Sequence, residues 1–124
     1  MSDNTLKIHS FTDLHAWKEG HRIVLTIYKL TKQFPKEEKF VLVDQLRRCA
    51  VSITSNIAEG FSRYGKADKR HFYRIALGSL TELQNQLLIA RDLEYISEND
   101  FQTIAEITIS VSKLLNGLIK STNS

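Results

Sequence analysis

The chain has 124 residues, of which 42% are hydrophobic and 25% charged, a composition typical of a globular protein and unlike that of a disordered or membrane protein. This length suits a single domain, predicted over residues 1–124 with its packed part at about 11–120. The formal net charge is +3, and Cys49, the sole cysteine, excludes an intramolecular disulfide.

Nothing in the sequence predicts a membrane or export destination. No apolar run approaches the roughly 20 residues that cross a bilayer. The start, MSDNTLKIHS, lacks the basic-then-apolar layout of an export signal. We therefore expect a cytoplasmic protein without a membrane partner.

One proline and five glycines leave too few turn signals for a strand-rich chain, so helices should dominate. Apolar periodicity predicts four helices, at about 13–33, 38–59, 67–95 and 97–120. We expect Gly60 to end the second helix in a left-handed conformation and Ser97 to cap the fourth. The connections are too short to cross a bundle, which predicts an all-α, antiparallel up-down-up-down four-helix bundle.

The first helix carries apolar residues on two nearly opposite faces. One face, assigned to the core, holds Leu14, Trp17, His21, Val24, Leu25 and Tyr28. The other face includes Ile23, Ile27 and Leu30. Because one neighbouring helix cannot cover both faces, the sequence predicts a homo-oligomer whose subunit contacts use Ile23, Ile27 and Leu30.

The positive charge is concentrated in one segment. Between positions 63 and 74 there are five basic residues and one acid, a net charge of +4, and the rest of the chain sums to −1. The basic residues are Arg63, Lys66, Lys69, Arg70 and Arg74. Guanidinium and ammonium groups bind phosphates, and aromatic rings can stack on unpaired bases.

The sequence therefore predicts a nucleic-acid-binding surface on this segment. Tyr64, His71 and Tyr73 are available for stacking, and Arg47 and Arg48 are expected to extend the surface. Arg70 and Arg74, four residues apart, are expected to share the outward face of the third helix.

The polar residues at the end of the second helix are predicted to be structural. Asn56, Glu59 and Gly60 are expected to pin this corner against the third helix. Glu59 lies in a last helical turn, where a negative charge opposes the helix dipole, so a basic side chain should compensate.

No constellation predicts catalysis, a metal or a cofactor. No Glu is followed by His three residues later, as di-iron bundles require. Seven residues separate Arg63 from His71, whereas a helical ribonuclease motif needs four to six. Cys49 lies in an apolar stripe and is expected to be a small core filler. We therefore expect a protein that is not an enzyme, with no cofactor, metal or small-molecule substrate.

Three segments carry a family resemblance: FTDLHAWKEGHRI, FPKEEKFVLVDQLRRCAVSITSNIAEGFSR and FYRIALGSLTEL. Together they resemble the bacterial four-helix-bundle proteins encoded by intervening sequences in large-subunit (23S) rRNA genes, over roughly residues 11–119. This resemblance implies a homopentamer, and the members of this family have no established enzymatic activity. The chain is also similar to the accessory protein of diversity-generating retroelements, a pentamer whose basic surface binds nucleic acid and a reverse transcriptase.

Three functional classes remain open at this point. The first is a non-enzymatic homo-oligomer that binds RNA, such as ribosomal RNA, through its basic surface. The second is an oligomeric scaffold whose basic face docks an acidic protein partner. The third is an enzyme centred on Asn56, Glu59 and the nearby arginines.

Overall fold

The computed structural model of the protein describes residues 7–123, and within this range the chain is all α-helical with no strand. The helices are α1 (His15–Thr31), α2 (Leu42–Ser62), α3 (Lys66–Asp92) and α4 (Glu98–Ser121). Short 3-10 turns at Phe11–Asp13 and Lys36–Glu38 precede α1 and α2. The all-α, four-helix prediction is confirmed. The ends of the predicted domain, residues 1–6 and 124, lie outside the described residues.

Each helix packs against two others: α1 and α3 both contact α2 and α4. The apolar stripes of the helices meet in one core. Its largest fully buried apolar side chains are Ile23, Ile27, Leu46, Ile53, Ile57, Leu80, Leu83, Leu87, Ile104, Val111 and Leu115. Burying each such side chain stabilises the fold by about 1.5–3 kcal/mol relative to leaving it exposed. No helix in residues 7–123 is long and apolar enough to cross a membrane.

The start of α4 is fixed as predicted by Ser97. Its hydroxyl accepts a hydrogen bond of 3.1 Å from the backbone N–H of Asp100. That contact satisfies one of the backbone donors that a helix leaves open at its N-terminus.

The face of α1 that enters the core is the opposite of the predicted one. Ile23 and Ile27 are 0% and 1% exposed within a single chain, so the prediction that they contact other copies is wrong. Leu30 is partly buried and packs against the same core. The reason is Gly20, where an added Cβ would lie only 3.1 Å from the methyl of Thr54, so α2 approaches this face closely.

The end of α2 also differs from its prediction. Gly60 lies inside α2, which continues to Ser62, and no glycine in residues 7–123 has a positive φ. The glycine is required for packing instead, because a Cβ there would lie 2.7 Å from Cε1 and 2.9 Å from Cδ1 of Tyr73. Tyr73 itself is 3% exposed, so its predicted role in binding nucleic acid is wrong.

Candidate functional site

The predicted basic segment forms the corner between α2 and α3. We call residues 59–74 the α2–α3 corner. Only Arg63, Tyr64 and Gly65 connect the two helices. The α4 C-terminus is close to this corner, because Arg70 on α3 bonds Thr122 just after α4. The corner therefore joins the last turn of α2, the first turns of α3 and the end of α4.

Lys69 stabilises the end of α2. Its ammonium donates a hydrogen bond of 2.7 Å to the carbonyl of Phe61 and a longer one of 3.4 Å to the carbonyl of Gly60. It also lies 5.3 Å from the centre of the Phe61 ring. The Gly60 carbonyl also accepts a hydrogen bond of 3.2 Å from the backbone N–H of Arg63. Both carbonyls belong to the last turn of α2, which carries the negative end of the helix dipole. Lys69 is thus a helix-capping residue.

Glu59 has the basic partner that was expected. A guanidinium nitrogen of Arg63 lies 2.9 Å from its carboxylate, and the guanidinium also lies 4.7 Å from the centre of the Phe72 ring. Both charged side chains remain nearly half exposed. The pair therefore contributes little to stability and leaves Arg63 accessible.

The predicted structural corner is formed only in part. Gly60 packs against Tyr73 of α3, as described above. Asn56 donates hydrogen bonds to the carbonyl and hydroxyl oxygens of Ser52, at 2.8 and 3.1 Å. The Ser52 hydroxyl in turn bonds that of Ser79 on α3 at 2.8 Å. Asn56 therefore supports the α2–α3 contact through Ser52.

Arg70 does not face outward with Arg74. Its Nε donates to the hydroxyl of Thr122 at 2.9 Å, and a terminal nitrogen donates to the Thr122 carbonyl at 2.8 Å. Arg74 is exposed. The prediction that the two share an outward face is wrong for Arg70, whose guanidinium holds the end of α4. Nothing in the helical periodicity signalled Thr122, which is 3% exposed.

Arg47 and Arg48 lie away from the corner. Arg47 donates to the hydroxyl of Thr31 at 3.0 Å, and its guanidinium lies 4.6 Å from the centre of the Tyr28 ring. Arg48 pairs with Asp44 at 2.9 Å. Arg47 lies on α2, and Arg63 directly follows the end of that helix, 16 residues later. At 1.5 Å per residue this separation is roughly 24 Å along the helix axis. The expected extension of the corner surface by these two arginines is therefore not formed.

Five side chains at the corner are exposed. They are Arg63, Tyr64, Lys66, His71 and Arg74. The ring of Tyr64 is fully exposed, whereas Phe61 and Phe72 nearby are already covered by Lys69 and Arg63. The corner is therefore a positively charged surface on which the ring of Tyr64 is exposed.

Outside the corner, the thiol of Cys49 on α2 is in contact with polar groups of α3. The thiol of Cys49 lies 3.5 Å from a carboxylate oxygen of Glu82 and from the amide nitrogen of Gln86. Burial raises the pKa of this thiol, which makes it a poor nucleophile. Cys49 is buried as expected. Within residues 7–123, no group of three or more His, Cys, Asp or Glu side chains could hold a metal ion.

The chain matches a protein-family model and is similar to solved structures. The family model described as 23S rRNA-intervening sequence protein matches residues 12–117. The chain is also similar to a crystal structure from Bacteroides thetaiotaomicron VPI-5482, described as a protein with unknown function from the S23 ribosomal protein family. The two share 28% sequence identity with a TM-score of 0.78, over 85% of this chain and 95% of that one. No curated protein matches.

Proposed function

The chain belongs to the 23S rRNA-intervening sequence protein family, and from that premise we propose that it is a homo-oligomeric bundle that binds RNA through its α2–α3 corner. The family resemblance seen in the sequence is confirmed by the match. The proposed role is binding without catalysis and without a cofactor. A cytoplasmic location follows from the proposed partner, which is ribosomal or other cellular RNA.

One observation carries the proposal. The segment 63–74 has a net charge of +4 in a chain of +3, and Arg63, Lys66 and Arg74 of this segment are exposed at one corner. Exposed cations that converge on one surface attract the phosphate backbone and release its counterions. Lys69 holds the end of α2, next to Arg63, and Arg70 holds the end of α4 against α3, the helix that carries Lys66 and Arg74.

We propose the up-down-up-down order for the bundle. Two sets of contacts support it. On α2, Cys49 bonds Glu82 of α3, and Ser52, further along α2, bonds Ser79, which comes earlier on α3. The two helices are therefore antiparallel. In the second set, Arg70 near the start of α3 bonds Thr122 just after α4, and Gln84 further along α3 bonds Thr108 earlier on α4, so these two helices are antiparallel as well.

We propose assembly into a homopentamer, the state that the resemblance implies. Several copies of a weak cationic corner would bind one RNA with a high effective concentration. Light scattering should return five times the monomer mass of 14.2 kDa. A mass near that of one chain at micromolar concentration would exclude any homo-oligomer.

RNA binding is tested by fluorescence anisotropy with labelled single-stranded and hairpin RNA over a salt series. Each neutralised phosphate on a single strand gives a slope of about −0.7 in log affinity against log salt. Three cations therefore predict a slope of about −2 for one corner and a steeper one for the assembly. The Lys66→Glu, Arg74→Glu double variant should lose binding.

The matched control is Lys36→Glu with Lys39→Glu, which makes the same change in charge. These lysines lie in and next to the 3-10 turn whose Glu38 bonds Tyr95, beyond the far end of α3. That position is about 40 Å from Lys66 along α3. The control should keep most of the affinity. An RNA affinity that is absent even at low salt, with capture of an acidic protein instead, would favour the scaffold over the RNA-binding function.

A further inference from the structure

A cleft lined by basic residues lies between the end of α1 and the start of α2. Because α2 begins at this cleft and ends at the α2–α3 corner, the two are at opposite ends of that helix. We call it the α1–α2 cleft, and its volume is about 210 Å³. Its lining residues are Thr31, Lys32, Phe34, Pro35, Lys36, Lys39, Val43 and Arg47.

The guanidinium of Arg47 is fixed in this cleft by contacts with α1. Its Nε donates to the hydroxyl of Thr31 at 3.0 Å, and the group lies 4.6 Å from the centre of the Tyr28 ring. The Thr31 hydroxyl is itself held, because it donates to the carbonyl of Ile27 at 2.7 Å. The terminal nitrogens of Arg47 have no hydrogen-bond partner among residues 7–123. A guanidinium held by one edge can bind a phosphate with its remaining N–H groups.

The four cations that line the cleft are not neutralised by carboxylates. None of them forms an ion pair within the part of the chain that the structure describes. Two acids of the surrounding segment have other partners, since Asp44 pairs with Arg48 at 2.9 Å and Glu38 accepts a hydrogen bond from the Tyr95 hydroxyl at 2.9 Å. The third acid, Glu37, is exposed and does not line the cleft. The cleft therefore concentrates four positive charges with no acid in its lining.

The helix ends at the cleft add little net charge. Thr31 is the last residue of α1, and Val43 belongs to the first turn of α2. The end of a helix carries about half a negative charge and its start about half a positive charge. Because one end of each kind meets here, their fields oppose each other. The four basic side chains therefore determine the sign of the electrostatic potential in the cleft.

Part of the cleft lining is apolar. Phe34 and Val43 belong to the hydrophobic core and are 8% and 6% exposed, and Pro35 lies between α1 and the 3-10 turn. A ligand in the cleft therefore meets both cations and apolar surface. The volume of about 210 Å³ is smaller than the roughly 300 Å³ at which sites for drug-sized ligands begin. It is appropriate for one phosphate group with a small organic group attached.

We propose that the α1–α2 cleft binds a phosphate monoester, with Arg47 as the fixed contact and the three lysines as further cationic contacts. A monoester carries nearly two negative charges at neutral pH, because its second pKa is about 6, whereas each phosphate within an RNA chain carries one. Four unpaired cations in a small cleft favour the anion of higher charge. The monoester belongs either to a free small molecule or to the 5′ end of an RNA. This second site is independent of the proposed RNA binding at the corner.

The test is isothermal titration calorimetry with phenyl phosphate as the probe. Phenyl phosphate should bind the wild type about tenfold more tightly than methyl phenyl phosphate, a diester with one charge less. The Lys36→Glu, Lys39→Glu double variant should lose this binding, and both lysines are exposed, so it should fold, as checked by circular dichroism. The Lys66→Glu, Arg74→Glu variant makes the same change in charge at the corner and should keep it. Arg47→Lys keeps the charge but not the planar guanidinium, and should weaken binding about tenfold.

One RNA sequence with a 5′-phosphate or a 5′-hydroxyl distinguishes the two sources of the monoester. A preference for the phosphorylated RNA that Lys36→Glu with Lys39→Glu removes identifies the RNA end, and equal affinities identify a free small molecule. A wild type that does not bind phenyl phosphate, or a cleft variant that binds it equally well, overturns the site. Equal binding by Arg47→Lys also overturns it, because diffuse charge then accounts for the affinity. The corner fails separately, if Lys66→Glu with Arg74→Glu leaves the affinity for 5′-hydroxyl RNA unchanged.

Discussion

Substitution of Gly60 by alanine should change the free energy of unfolding in the opposite direction from the same substitution at two other glycines of the bundle. Alanine is the better helix former, and in an open helical site it gains about 1 kcal/mol over glycine. At Gly60, however, the new Cβ would lie 2.7 and 2.9 Å from two ring atoms of Tyr73. It would also lie 3.2 Å from the backbone carbonyl oxygen of Lys69. Real Cβ atoms do not approach neighbours so closely, so α3 or the Tyr73 ring must move.

The expected magnitude follows from these two opposing effects. Overpacking a well-filled core costs about 1–3 kcal/mol. The obstruction involves a buried ring and backbone, neither of which can swing away, so the cost belongs in the upper half of that range. After subtracting the gain in helix propensity of about 1 kcal/mol, Gly60→Ala should lower the free energy of unfolding by about 1–2 kcal/mol.

Gly78→Ala and Gly117→Ala are the matched controls. Both glycines lie within helices, and an added Cβ would meet nothing within 4 Å at either site. Each control should raise the free energy of unfolding by about 1 kcal/mol. The same substitution should thus differ in sign between Gly60 and the controls, with a gap of about 2–3 kcal/mol.

The assay is urea unfolding followed by far-ultraviolet circular dichroism at one fixed protein concentration, because assembly couples stability to concentration. In thermal unfolding, a change of 1 kcal/mol should shift the midpoint by about 4 °C in a chain of this size. If Gly60→Ala stabilises the protein as much as Gly78→Ala does, the explanation of Gly60 by its contact with Tyr73 is wrong.

Two further predictions follow from buried or partly buried polar contacts. Arg70→Ala should lower the free energy of unfolding by about 1–2 kcal/mol and increase amide hydrogen exchange at the end of α4, because both bonds to Thr122 are lost. Arg70→Lys should not restore the protection from exchange, since an ammonium cannot form the two bonds of the planar guanidinium. Unchanged exchange in Arg70→Ala would contradict this role of Arg70. Burial raises the pKa of Cys49 and of Tyr73 above their ordinary values of 9.0 and 10.0, so these protons leave the unfolded chain first, and stability should fall as the pH rises above about 9. Tyr73→Phe should flatten that alkaline loss in unfolding measured across a pH series, and an unchanged slope would show that Tyr73 does not contribute to it.

The sequence predicted the helices well because apolar periodicity marks each helix, and local signals mark the end of α1 and the start of α4. Pro35 follows α1, and Ser97 caps α4. Both signals act within a few residues of the chain, so they can be read without knowing the tertiary contacts. The bounds of all four helices agree with the predicted ones to within four residues.

The faces of the helices were harder to predict, because periodicity gives the spacing of a stripe and not its direction. In α1, the stripe of Ile23 and Ile27 and the stripe of Val24 and Tyr28 have equivalent spacing. The choice between them depends on Gly20, whose missing side chain lets α2 approach. A glycine in one of two equally spaced apolar stripes was the signal in the sequence that could have identified the core-facing stripe.

The candidate site shows a similar division. Charge counting located the basic corner, but it treated all five cations alike. The structure separates Lys69 and Arg70, which hold helix ends, from Arg63, Lys66 and Arg74, which are exposed. Lys69 and Arg70 are distinguished from the other cations by the carbonyl groups of Phe61 and Thr122 that accept their hydrogen bonds. Every residue has a backbone carbonyl, so the sequence does not show which of them a cation will contact.

The position of Lys69 has an electrostatic consequence for any anion that approaches the corner. The C-terminal end of a helix carries about half a negative charge and repels anions. α2 presents that end at the corner, and the Lys69 ammonium, 2.7 Å from the Phe61 carbonyl, serves as its internal counterion. The local field near the end of α2 is therefore no longer repulsive, and a polyanion can lie beside a helix terminus that would otherwise exclude it.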